Sequence, residues 1–121
     1  MNFRASNPIR AVVLTVSDSC FQGVRKDLSG AIVIDLLAGI GITEISSQVV
    51  PDEQEVIATA LRRGAEVAEL VVTTGGTGLA PRDVTPEATR QVCDRIVEGM
   101  AERMRAEGLR QTPMAALSRG I

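Results

Sequence analysis

Fourteen consecutive residues, TTGGTGLAPRDVTP at positions 73–86, gather the residue types that hold phosphate. Gly75, Gly76 and Gly78 let backbone N–H groups approach an anion closely, and the hydroxyls of Thr74 and Thr77 add donors. A GGTG alone is short, and a tight turn explains it as readily as a phosphate cradle. Two familiar nucleotide loops are excluded. A Walker loop ends in GK[ST], but the only lysine of the chain is Lys26; a dinucleotide fingerprint fails at Pro81. Around the loop, each polar residue has two readings. Arg82 either meets phosphate or pairs with a surface acid, and Asp83 is a ligand contact or the residue that shapes a turn. Ser17 and Asp18 form an Asx turn or touch ligand. Asp52 stands where a helix cap belongs, three residues before Glu55.

The composition limits what else the chain can do. It has 121 residues, enough for one domain, and 45% are hydrophobic, enough for a core. Fifteen acids and thirteen bases leave a net charge of −2, without the basic excess that nucleic acid demands. Phe3 and Phe21 are the only aromatics, which removes base-stacking platforms. There is no histidine, hence neither the commonest general base nor the commonest metal ligand. Cys20 and Cys93 lie too far apart for a zinc motif and suit a reducing cytoplasm as inert thiols. No apolar run is long enough to span a membrane, and residues 1–9 read as a flexible tail without the apolar stretch of a secretion signal.

Elements that could position the loop follow from periodicity. Residues 11–16 form a valine-rich run typical of a buried parallel strand. Leu28, Ile32, Leu36 and Ile40, spaced by four, predict a helix capped by Asp27 or Ser29 and ended by Gly39 and Gly41. A second strand is expected over 42–50. The helix after Pro51 carries an apolar stripe through Val56, Ile57, Ala60, Leu61, Gly64, Val67 and Ala68. Residues 70–74 predict a third strand. Thr85 as cap and Pro86 at the first helical position open a helix that turns Ala88, Val92, Ile96 and Val97 inward. Met100 and Met104 are expected in the core of a further helix reaching Gly108, followed by a last short strand over 115–117. Such alternation predicts a three-layer α/β/α fold with a mainly parallel, mixed sheet and ligands at the carboxyl ends of its strands.

Taken together, TTGGTG, RDVTPEAT, Ser17-Asp18 and Pro51-Asp52-Glu53-Gln54 closely resemble the MogA/MoaB family of molybdenum cofactor biosynthesis, over about residues 10–121. The resemblance implies Mg²⁺-dependent transfer of AMP from ATP to the terminal phosphate of molybdopterin, with release of pyrophosphate. It makes Asp52 and Asp83 the catalytic and metal-holding acids. Ser17, Asp18, Thr74, Gly75, Gly76, Thr77, Gly78 and Arg82 then become the ligand-binding set. It also implies a homotrimer and a downstream molybdenum-insertion enzyme as partner. Family members continue with another strand, a Pro-Gly loop and a helix, so residues 10–121 are expected to lack those elements. A non-catalytic molybdopterin-binding or scaffold domain of the same fold is the alternative, with another nucleotide-dependent transferase behind it.

Overall fold

The computed structural model describes residues 8–121, so the tail expected over 1–9 falls, apart from Pro8 and Ile9, outside the described residues. Among the described residues, three strands form one sheet: β1 (Arg10–Val16), β2 (Glu44–Val50) and β3 (Leu70–Thr74). The order is β2-β1-β3 and both pairings are parallel. Parallel neighbours need a crossover. Between β1 and β2 the chain runs through α1 (Asp18–Phe21) and α2 (Leu28–Gly39); between β2 and β3 it forms α3 (Gln54–Val67). After β3 come α4 (Thr85–Val92), α5 (Glu98–Leu109) and a 3₁₀ turn, Pro113–Leu117.

The central strand explains the unbroken apolar run. Side chains of a strand alternate between its faces, and β1 is covered on both. Ala11 and Val13 pack with Leu37 of α2, while Leu14 and Val16 pack with Ile57, Ala58, Leu61 and Ala88 of α3 and α4. The three-layer expectation is met, and the described strands are all parallel rather than mixed.

The strand expected at 115–117 is the 3₁₀ turn instead. Pro113 lacks an N–H and suits a helical first position, and the Thr112 hydroxyl accepts from Met114 N at 3.2 Å, so the local chemistry favours a helical start. Four-residue spacing also chose the wrong face of α2. Leu28, Ile32, Leu36 and Ile40 are exposed, and Val33, Ile34 and Leu37 point inward. That helix is apolar nearly all round, so its pattern cannot select a face. Asp27 does cap it, accepting from Gly30 N at 2.9 Å and from the buried Thr15 hydroxyl at 2.8 Å. Farther on, α4 stops at Val92, leaving Ile96 and Val97 exposed, and Met100 and Met104 of α5 are exposed rather than core.

In α3, Ile57, Ala60, Leu61 and Gly64 are buried as expected, whereas Val56 and Val67 are not. A Cβ at Gly64 would lie 3.1 Å from Val71 Cγ2 and 3.6 Å from Val12 Cγ1, so the glycine sets how closely α3 approaches the sheet. Gly64→Val is expected to cost about 1–3 kcal/mol by overpacking, measured by urea unfolding.

At the opposite end of the sheet, Arg10 ties β1 to the residue before β3. Its N, Nε and Nη2 donate to the Glu69 carboxylate at 2.9, 3.2 and 2.6 Å. The Arg10 guanidinium holds Glu69 down from 4.5 to about 2. The tie is therefore complete above the ordinary glutamate value and lost as pH falls through about 2. Melting temperatures of wild type and Glu69→Gln should differ at neutral pH and converge near pH 2; a gap that persists there would contradict this origin.

Candidate functional site

The loops after all three strands meet at the carboxyl edge of the sheet. The first is held by Ser17, whose N–H continues the ladder to Val50 O at 2.9 Å and whose Oγ caps α1, accepting from Cys20 N at 3.2 Å. Asp18 then exchanges hydrogen bonds with Asp52: Asp18 N donates to Asp52 Oδ2 at 2.8 Å, and Asp52 N donates to Asp18 Oδ1 at 2.9 Å. This exchange overturns the cap reading of Asp52. Helix α3 begins at Gln54 with Glu53 at its cap position and no side-chain cap bond. One oxygen of the Asp52 carboxylate, Oδ2, is committed to a neighbouring loop.

Arg82 lays its guanidinium fork on Asp18, Nε to Oδ2 at 2.6 Å and Nη2 to Oδ1 at 3.0 Å. The acid partner that the sequence offered for Arg82 is therefore Asp18. The Arg82 contact, followed by the Asp52 N–H, holds the Asp18 carboxyl below its ordinary value. The same pair raises Arg82. Asp18 thus stays ionised and joins all three loops.

The glycine loop is built by disposing of its carbonyls. Gly75 O accepts from the Thr85 hydroxyl at 2.9 Å and Gly76 O from Thr85 N at 3.1 Å. Thr77 O accepts from Arg119 N at 2.8 Å, and Gly78 O from Arg119 Nε at 2.8 Å. Among the described residues, the N–H groups of Gly76, Thr77, Gly78 and Leu79 meet no protein acceptor. Four successive acceptors are occupied and a run of successive donors is left. A backbone nest of this kind binds anions. Two glycines are obligatory here: Gly75 and Gly76 have φ of +94° and +70°, and a Cβ would collide with Val16 O at the first and Thr85 Oγ1 at the second.

Both candidate acids flank that loop. Asp52 Oδ1 lies 3.3 Å from where a Gly76 Cβ would stand, and Asp83 Oδ2 lies 2.8 Å from the equivalent point at Gly78. Asp83 Oδ2 also accepts from Ala80 N at 3.0 Å, so it shapes its turn. Thr74 and Thr77 line a cavity of about 270 Å³ with Thr85, Thr89 and Arg105. A second hollow of about 620 Å³ starts at Asp18 and Arg82 and runs past Gln48 and Glu53.

Every residue expected at the site is at this edge, and two contributors escaped sequence reasoning. Thr85, read as a helix cap, is buried and holds the loop instead; Val84 occupies the cap position. Arg119 lies 41 residues beyond Gly78, and no local pattern signals its contact.

A parallel α/β sheet with a glycine loop and two acids at its carboxyl edge has the layout of α/β domains that take ligands at the ends of their strands. Residues 12–121 match the family described as a probable molybdopterin binding domain. The chain belongs to that family. It is 41% identical over 111 residues to a Helicobacter pylori molybdopterin adenylyltransferase, covering 88% of this chain and 63% of that protein. It is 45% identical over 112 residues to the Drosophila melanogaster molybdenum cofactor synthesis protein cinnamon, covering 90% of this chain and 19% of that protein. The chain thus spans less than two thirds of the length of these curated relatives. The crystal structure of the molybdopterin biosynthesis enzyme MoaB from Thermus thermophilus superposes with a TM-score of 0.83 at 50% identity, over 93% of this chain and 74% of that one.

Since Asp52 bonds across to another loop, its replacements should not follow helix-cap rules. Asp52→Ser, which would preserve a cap, is expected to lose about as much stability as Asp52→Ala, about 1–2 kcal/mol by chemical denaturation. A serine variant as stable as wild type would restore the cap reading.

Proposed function

We propose that this domain serves molybdenum cofactor assembly by transferring AMP from ATP to the terminal phosphate of molybdopterin. The observation that carries the reading is the glycine loop, whose carbonyls are occupied while the N–H groups of residues 76–79 meet no acceptor among the described residues. The name of the Helicobacter relative supports the choice of reaction. A terminal phosphate oxygen attacks the α-phosphorus of ATP, a new P–O bond forms, and the bond to the departing pyrophosphate breaks with its electron pair. A phosphate monoester is already ionised near neutrality, with a second pKa of about 6, so the attack requires no general base. A chain without histidine is suited to such chemistry. What the protein must supply is alignment and stabilisation of charge on the transferring phosphate.

Among the described residues no group of three or more His, Cys, Asp or Glu forms a metal cage. Mg²⁺ commonly uses one or two carboxylates and completes its shell with substrate phosphates and water. Asp52 and Asp83, beside Gly76 and Gly78, fit that need and would hold it. When bound, Mg²⁺ neutralises phosphate charge. Asp18 and Arg82 frame the second hollow, Thr74, Gly75 and Thr77 line the first, and Ser17 caps α1 beside Asp18, which supports two ligands at this edge.

Assembly as a homotrimer is part of the proposal. The exposed Leu28, Ile32 and Leu36 of α2, with Ile40 at its C-cap, support burial against other copies. Delivery of product to a molybdenum-insertion enzyme completes it. Free Cys20 and Cys93 accord with a reducing cytoplasm, and among the described residues no helix is long and apolar enough to cross a membrane.

A binding-only domain is the second reading, favoured by the bond from Ala80 N that gives Asp83 a structural task. The two readings separate on Asp83→Asn in the intact protein. Adenylyl transfer should fall by about a hundredfold or more, roughly 2.7–4 kcal/mol, with melting nearly unchanged. Asp52→Asn should lower transfer and weaken its Mg²⁺ dependence. Transfer that survives both substitutions would remove the two-aspartate mechanism.

A further inference from the structure

We infer that Arg119 is the positioning residue of the glycine loop, turning its peptides so that their N–H groups are available together. The inference rests on the anion-binding reading of that loop. Arg119 reaches both ends of the bend: Nε donates to Gly78 O at 2.8 Å and Nη2 to Asp83 O at 2.6 Å. Its backbone N–H takes Thr77 O at 2.8 Å. One residue therefore fixes three carbonyls of the loop from behind.

The guanidinium is itself held in place. Nη1 and Nη2 donate to Glu87 Oε2 and Oε1 at 2.7 and 3.2 Å, which anchors the fork on the first turn of α4. The segment carrying it is clamped as well, because Arg105 Nη1 of α5 donates to Ser118 O at 3.3 Å and Gly120 O at 3.0 Å, the carbonyls on either side of Arg119. A continuous chain of contacts thus runs from α5 through Arg105 and Arg119 to the loop. Planarity and five donors let an arginine serve two carbonyls and a carboxylate at once; a lysine ammonium on a flexible stem cannot reproduce the fork.

The consequence is a preformed cradle. An anion entering a loop already ordered does not bear the cost of ordering it, so losing Arg119 should weaken anion binding without dismantling the sheet.

The ¹⁵N-labelled 121-residue chain tests this with two independent readings, backbone order parameters and shifts on titration with inorganic pyrophosphate. In wild type, amides 76–78 should show order parameters of about 0.85, and in Arg119→Lys they should fall below about 0.6, while Val13 and Leu14 stay unchanged. The pyrophosphate dissociation constant should rise about tenfold. Glu87→Gln, which keeps an acceptor for Nη1, should retain more affinity than Glu87→Ala, a graded rescue that a purely structural role would not give. A loop as rigid in Arg119→Lys as in wild type, with affinity within about twofold, would overturn the inference. So would loss of order at Val13 and Leu14 together with the loop, which would make Arg119 a staple of the whole fold. If pyrophosphate leaves wild-type amides 76–78 unmoved, the cradle reading fails, and the order parameters alone judge Arg119.

Discussion

A peptide group in a crowded loop must place both its donor and its acceptor, and the site of this domain depends on how residues 75–78 meet that demand. Thr85 takes the first two carbonyls and Arg119 the next two. With the acceptors satisfied by protein, the donors are what remains unbonded among the described residues. The arrangement requires left-handed backbone at Gly75 and Gly76, where any side chain would strike Val16 O or the Thr85 hydroxyl. The glycines permit the turn, and the two distant partners determine which side of each peptide is left free.

Charge is arranged on the same logic. Asp18 and Asp52 sit close enough to exchange backbone hydrogen bonds, and Arg82 neutralises the first of them. Asp18 is consequently a fastener, ionised and occupied. Asp52 retains Oδ1 beside Gly76, and the distinction gives two chemically identical residues different work. Joining the ends of β1 and β2 through these carboxylates also fixes the floor against which the third loop folds.

The sheet that supports the loops is small, and its central strand is buried on both faces. The outer side of α2 nevertheless displays Leu28, Ile32 and Leu36 to solvent, with Ile40 exposed just past its end. Water is a poor partner for exposed aliphatic side chains, which is the physical basis for proposing that copies associate there.

The strands were legible because burial of β1 on two faces shows as a valine-rich run at residues 11–16, and the short apolar start of 70–74 bounded the third strand correctly. The glycine motif and the acids around it were legible too, since few residue types tolerate those backbone angles or carry that charge. Orientation was not. Nothing local in an apolar helix states that Val33 and Leu37 turn inward while Ile32 and Leu36 turn outward. Nor could a capping pattern reveal that Asp52 bonds to Asp18, 34 residues away, rather than to its own helix. The composition and local backbone preferences were set by the sequence, whereas the partner of each polar group was decided only when distant segments packed. A hydrogen bond is satisfied by whichever donor and acceptor meet in space, and contacts such as Arg119 with Gly78 exist only in the folded chain.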